Sequence, residues 1–249
     1  MGYSVILPTL NEKGHIIELI KSIQKVFAEI NQNYEIIIVD DRSTDGTIEI
    51  IKEIEKKYEN LKLFVRENKK KNLAKSICLG IKESKYENII WMDADFQHPP
   101  DHLKFFHNKQ ADYDVIIFSR FLQSSIRYFD QDMSKKEKNE NQSIFFNKLC
   151  RFFLYKDITD YTSGFICIKK KIFNNYQFKG YYGEYFIDLI IHCKQNNYSI
   201  LELPFKEKER SSGSSKTMMG YTPKYIIICF NYFIVLFKNI LKKILKIKK

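Results

Sequence analysis

A chain of 249 residues and 29.8 kDa is long enough to bury a core as one large or two small domains. With 44% apolar and 29% charged residues and only 9 glycines and 5 prolines, the composition excludes disordered, collagen-like and linker-rich designs. The formal charge is +11, and five scattered cysteines without a C-x-x-C pair argue against a zinc ribbon or disulfide framework and for a reducing compartment.

Taken in chain order, short apolar runs alternate with helical periodicity. Strands are predicted at 3–7, 35–39, 62–65, 89–92 and 114–118, and helices at 14–30, 45–57, 72–84 and 98–109. The first run has neither a basic region before it nor a cleavage site after it, so no secretory signal is expected; Ile6 stands where a myristoylation site needs Ser or Thr. Alternating strands and helices imply right-handed crossovers and a mostly parallel sheet. Ligands of such sheets bind beyond the carboxyl ends of the strands.

Past Arg120 the alternation breaks. Residues 124–143 are polar and read as a loop, followed by a helix at 144–155, a strand at 165–168, a helix at 184–196 and a strand at 199–203. The run 211–215 is a flexible Ser/Gly stretch. A catalytic domain over 1–220 and a separate tail over 221–249 are the expected organisation.

That tail holds seven lysines and no acid. Its first part, 225–237, carries no charge over thirteen residues, short of the roughly 20 that a membrane span needs. In the second part, Phe237, Ile240, Leu241, Ile244 and Leu245 share one helical face and lysines the other. Two readings fit: a helix lying on an anionic membrane surface, or a core-packing helix with a solvated basic end. Nucleic acid is not an expected partner, since basic residues and exposed aromatics are not interleaved elsewhere.

The chemistry gathers at the predicted strand ends. Neither G-x-G-x-x-G nor G-x-x-x-x-G-K-[ST] is present, so a nucleotide bound at this sheet would have its phosphates held by acids and a metal. The fourth strand runs into Asp93-Ala94-Asp95-Phe96-Gln97, hard oxygen donors suited to Mg²⁺ or Mn²⁺, which take one or two carboxylates and complete their shell from water and phosphates. Asp40, at the end of the second strand, is suited to a ribose or base, with Ser43 or Thr44 capping the helix that follows. Pro8 and Glu12 follow the first strand. His98 and His102 lie four apart and read as surface histidines, because no third metal ligand accompanies them.

The ordered set Ser4-Val5-Ile6-Leu7-Pro8-Thr9-Leu10-Asn11-Glu12, Ile37-Ile38-Val39-Asp40-Asp41, Asp93 to Pro100, Ser119-Arg120-Phe121 and Asp160-Tyr161-Thr162-Ser163-Gly164-Phe165 resembles glycosyltransferase family 2. Within that family it is most similar to the dolichyl-phosphate and polyprenyl-phosphate sugar transferases. The resemblance implies the GT-A fold, an α/β architecture with a mostly parallel central sheet flanked by helices. It also implies an inverting, metal-dependent transfer of a sugar, mannose or glucose, from a GDP- or UDP-sugar to a lipid phosphate. By that likeness Pro8, Glu12 and Asp40 hold the nucleoside, while Asp93, Asp95 and Gln97 bind the metal. Arg120 meets the acceptor phosphate, and Arg210 and Lys216 close over the donor. A cytoplasmic enzyme, peripheral on the inner face of the membrane through 221–249, is the expected setting. A related transferase with a UDP-sugar and a glycan hydroxyl acceptor is the alternative; it needs a base, for which Asp160 or Glu184 are candidates. A phosphohydrolase with Asp93 as nucleophile fits less well, because such enzymes carry the acidic pair on their first strand.

Overall fold

The computed structural model describes residues 2–67, 70–122, 138–177, 180–206 and 223–247. Seven strands form one sheet: β1 (Gly2–Thr9), β2 (Asn33–Asp40), β3 (Leu61–Val65), β4 (Asn88–Trp91), β5 (Val115–Ser119), β6 (Ile166–Lys169) and β7 (Ile200–Pro204). Their spatial order is β3-β2-β1-β4-β6-β5-β7. Every pairing is parallel except those of β6, which runs against β4 and β5. Because β6 is reversed, its amino end lies beside the carboxyl ends of the other strands, and the segment leading into it joins the same edge.

Among the described residues seven helices cover the sheet: α1 (Ile16–Glu29), α2 (Thr47–Glu55), α3 (Leu73–Glu83), α4 (Leu103–Lys109), α5 (Lys138–Phe153), α6 (Tyr185–Gln195) and α7 (Pro223–Ile247). Side chains alternate along the strands, and each face has its own core. Val5, Leu7, Ile36, Ile38 and Ile116 meet Leu19, Ile23, Ile51 and Phe106 of α1, α2 and α4. On the other face Ile6, Ile37, Trp91 and Ile117 meet Ile77 of α3, Leu189 of α6 and Leu236 of α7. Gly80 lets α3 sit close on β1: a Cβ there would lie 2.5 Å from Ile6 Cγ2.

All the expected strands form. Two helical expectations change. The helix expected from residue 144 begins at Lys138, so 138–143 belongs to α5 and not to a loop; Lys, Glu and Gln tolerate a helix whose packing is fixed further along. The helix expected from 98 begins only at Leu103, after a 3-10 turn at Pro100–His102, because consecutive prolines disfavour an earlier start. The tail, expected as a C-terminal helix over 221–249, is described as one 25-residue helix, Pro223–Ile247.

Candidate active site

The loops after β1 and β2 are stitched to one another. Asn11 adopts a left-handed φ of 57°, donates its backbone N–H to Ser43 Oγ (2.7 Å) and accepts from the Thr44 N–H (2.8 Å). The backbone N–H groups of Glu12 and Lys13 donate to Thr47 and Asp45. Asp40 is fully buried at the centre of this seam. Its carboxylate accepts from Thr9 Oγ1 (2.8 Å) and from both the hydroxyl and the N–H of Ser43 (2.6 and 2.7 Å). Glu12 pairs with His15 at 2.7 Å, and Pro8 is half-buried in β1. Next to them, buried Asp41 accepts from Arg66 (2.6 Å) and from the N–H of Asn72 (2.5 Å), while Arg66 also donates to the Asn72 carbonyl. Asn72 caps α3 and donates to Gly180, so this pocket ties α3 to the segment before α6.

Beyond β4 the chain makes a tight turn. Asp93 is 48% exposed, whereas Asp95 is buried and accepts from the Gln97 N–H at 3.1 Å. Phe96 between them has φ 64°, a conformation uncommon for a bulky residue and concentrated at functional sites. His98 is not a surface residue: it is buried, and its ring stacks on Phe165 at 4.8 Å. The Asp93 N–H donates to His98 Nδ1 (2.9 Å), which leaves the proton of the neutral ring on Nε2, 4.0 Å from Asp93 Oδ2. His98 therefore fixes the turn from behind. His102 is only partly exposed and packs edge-on against Phe105 and Phe118.

The third part of the edge is built around Arg120, directly after β5. Its guanidinium donates twice to fully buried Asp160, at 2.9 and 3.0 Å, and once to Thr162 Oγ1 at 2.8 Å. Its backbone N–H donates to the same carboxylate. Asn147 of α5 donates to Thr162 and accepts from the Tyr161 N–H. Glu184, also buried, accepts from the N–H groups of Tyr181 and Tyr182 at 2.8 and 3.0 Å. Tyr185 accepts from Trp91 Nε1; burial and the nearby Asp93 carboxylate push its phenol well up. Tyr232, carried in from α7, is raised by burial and by Glu184, with Arg120 acting in the opposite sense. The tail helix thus reaches the same edge.

The structure brings Pro8, Glu12, Asp40, Asp93, Asp95, Gln97, Arg120, Asp160 and Glu184 together along one side of the sheet. Arg210, Lys216 and the run 211–215 lie outside the described residues. Sequence reasoning missed Arg66, Asn147 and Tyr232, and it mistook the environment of His98. Only the acid Glu202 left a signal, as a lone charge in the apolar strand Ile-Leu-Glu-Leu-Pro.

Compared with known proteins, residues 4–177 match the model of glycosyl transferase family 2. A dolichol-phosphate mannosyltransferase of Pyrococcus furiosus is 32% identical over 87% of the chain; the chain spans 59% of that relative's length. An undecaprenyl-phosphate 4-deoxy-4-formamido-L-arabinose transferase of Edwardsiella ictaluri is 26% identical over 86% of the chain and 62% of its own. Among solved structures, a glucosyl-3-phosphoglycerate synthase of Mycobacterium tuberculosis, crystallised with Mn²⁺, UDP and phosphoglyceric acid, superposes with a TM-score of 0.68. It is 15% identical, over 96% of this chain and 78% of its own, a likeness of fold.

Proposed function

Because this chain belongs to glycosyl transferase family 2, we propose that it transfers a hexosyl group from a nucleoside-diphosphate sugar to a polyprenyl or dolichyl phosphate, with inversion at the anomeric carbon. One observation carries the choice of acceptor. At the edge that holds Asp93 and Asp95, the guanidinium of Arg120 is held by a two-point pair, while the buried carboxylates of Asp160 and Glu184 already accept hydrogen bonds on both oxygens. A hydroxyl acceptor needs a base, which two such carboxylates supply poorly. A phosphate monoester is an anion already and needs an arginine to orient it. Its oxygen forms the new bond to the anomeric carbon, the bond to the diphosphate oxygen breaks, and the nucleoside diphosphate leaves with the electron pair. No proton is removed from the acceptor.

Asp93, Asp95 and Gln97 offer oxygen donors on one turn, and among the described residues no group of three or more His, Cys, Asp and Glu is arranged to hold a metal alone. That is the donor set of a Mg²⁺ or Mn²⁺ site completed by a substrate diphosphate. When bound, the ion supplies neutralisation of charge on the leaving diphosphate. The names of the relatives support a polyprenyl-phosphate acceptor. Pro8, Glu12 and the loops braced by Asp40 are read as the nucleoside pocket, and Arg210 and Lys216, outside the described residues, are assigned to the donor by the family likeness.

The tail helix is read as the contact with the membrane surface. Ile227, Phe230, Ile234, Phe237 and Leu241 recur at helical spacing and are exposed, and Phe145, Phe152 and Phe153 of α5 are exposed as well. A chain of ring contacts from Phe145 through Phe146 to Phe233 joins the two helices. Apolar exposure beside lysines suits an anionic leaflet, in keeping with a peripheral enzyme on the cytoplasmic face. No helix among the described residues is long and apolar enough to cross a membrane.

The test is radiolabelled transfer into polyprenyl phosphate, with GDP-mannose and UDP-glucose offered in parallel and Mn²⁺ or chelator present. Metal-dependent label in the lipid is the expected result and identifies the nucleotide. Donor hydrolysis without labelled lipid would overturn the lipid acceptor in favour of a glycan hydroxyl.

A further inference from the structure

We propose that Glu202, on the outermost strand β7, is the positioning residue that fixes the guanidinium of Arg120; that the fixed group meets the acceptor phosphate rests on the reading given above. β7 pairs with β5 in a register that sets Glu202 opposite Ile117 and Pro204 opposite Ser119. From there the Glu202 carboxylate accepts from three donors of one turn: the Asp160 N–H at 2.9 Å, the Thr159 N–H at 2.8 Å and Thr159 Oγ1 at 3.0 Å. The same turn holds Arg120 from both sides. Asp160 takes its guanidinium and its backbone N–H, and Thr159 Oγ1 lies 2.6 Å from Ser119 Oγ, which in turn accepts from the Phe121 N–H. Each residue of the Ser119-Arg120-Phe121 segment is thus tied to a turn that hangs from one carboxylate.

Asp160 cannot set this geometry alone. Its oxygens bind Arg120 and Thr162, but the backbone that carries it is anchored through Glu202. The arrangement is also unfavourable as mere packing: burial pushes the Glu202 carboxyl up, against the hydrogen bonds from Asp160 and Thr159. A half-buried acid that a neutral residue would replace without that cost is expected where its geometry has a use. An acceptor that presents only a phosphate for recognition makes strict orientation of one arginine useful, since a bidentate contact tolerates little misalignment.

The experiment reads Arg120 directly, on the intact protein. Wild type, Glu202→Ala and Glu202→Gln are treated with phenylglyoxal, and the modified arginines are located by peptide mass. Arg66, held separately by Asp41, is the internal reference. Loss of the hydrogen-bonded anchor predicts modification of Arg120 about tenfold faster in Glu202→Ala, with Arg66 unchanged. Glu202→Gln, whose amide keeps one accepting oxygen, falls between the two. If Glu202→Ala unfolds, both arginines accelerate together and Glu202→Gln alone decides. An Arg120 rate unchanged in the folded variants overturns the proposal. Transfer kinetics on the same variants separate this claim from the one it rests on. The KM for polyprenyl phosphate rises about tenfold while that for the donor holds, if the acceptor reading is right. A loosened Arg120 with an unaltered acceptor KM leaves Glu202 as its positioning residue and removes Arg120 from acceptor binding.

Discussion

Asp93 and Asp160 stand at the same edge of one sheet, yet they are held in opposite ways. Asp93 follows a parallel strand in the first half of the chain, and its side chain is 48% exposed. What fixes it is its backbone, whose N–H donates to buried His98. Asp160 precedes the reversed strand β6, is 0% exposed and commits its oxygens to Arg120 and Thr162. A carboxylate meant for an external cation is best anchored through its main chain, so that its side chain can stay partly exposed. One meant to aim an arginine is buried and filled, because a low-dielectric pocket strengthens the pair and excludes competing water.

That contrast breaks most visibly at the turn after β4, where buried Asp95 accompanies exposed Asp93. Asp95→Asn is expected to lower metal-dependent transfer by at least about 10²-fold, as loss of one preorganised electrostatic contact does, with the far-ultraviolet circular dichroism unchanged. Turnover at the wild-type rate would remove Asp95 from the metal site. At the buried side the larger effect falls on stability. Arg120→Ala strands the Asp160 carboxylate without its cation and is expected to destabilise by about 3–5 kcal/mol in urea unfolding. Adding Asp160→Asn should recover part of that loss. Equal stability of the single and double variants would mean that the pair is not coupled.

The two sides also differ in how far the chain announces them. The strands β1, β2 and β4, their helices and the Asp93-Ala94-Asp95 turn follow from local periodicity and from acids placed where an apolar run stops. Asp160 and Arg120 stand in recognisable stretches, but the bonds between them and the anchor at Glu202 join residues about forty apart in sequence. No spacing rule encodes such a meeting; it exists only once β6 is reversed and β7 is laid on β5. His98 misled for a related reason. A histidine beside Gln97 and two prolines looks solvated until Phe165 and Phe205 arrive from distant segments to enclose it.

The tail helix carries the same division on two faces of one element. Leu236, 4% exposed, belongs to the core, and Asn239 and Lys242 reach Asp188 of α6. Phe237, one residue on, is 64% exposed. Leu236→Ala is expected to cost about 2–4 kcal/mol, the transfer and cavity terms together. Phe237→Ala should leave stability within about 0.5 kcal/mol while lowering sedimentation with anionic vesicles. A Phe237→Ala protein that binds vesicles as the wild type does would deprive the exposed stripe of its assigned role.

Asp114 supplies the smallest effect and a control, since it lies at the opposite end of the sheet. Burial acts to raise its carboxyl, but hydrogen bonds from Lys171 and Ser199 prevail and hold it below the usual range. A depressed folded-state pKa contributes stability that is complete above the unfolded value of about 3.9 and is lost as pH falls through the folded one. Asp114→Asn is therefore expected to lose less than about 1 kcal/mol near neutral pH, since Lys171 is half in water and screened. The difference from wild type should narrow as pH falls below about 3.9 and through the lower folded-state value, where both side chains become neutral. Transfer kinetics should not change at all. If Asp114→Asn altered the acceptor KM, the register of β5 against β7, to which Asp114 and Ser199 contribute, would be transmitting strain to Arg120 at the far end of the same strand. The separation between an edge built for ligands and one built for stability would then be less complete than the distances suggest.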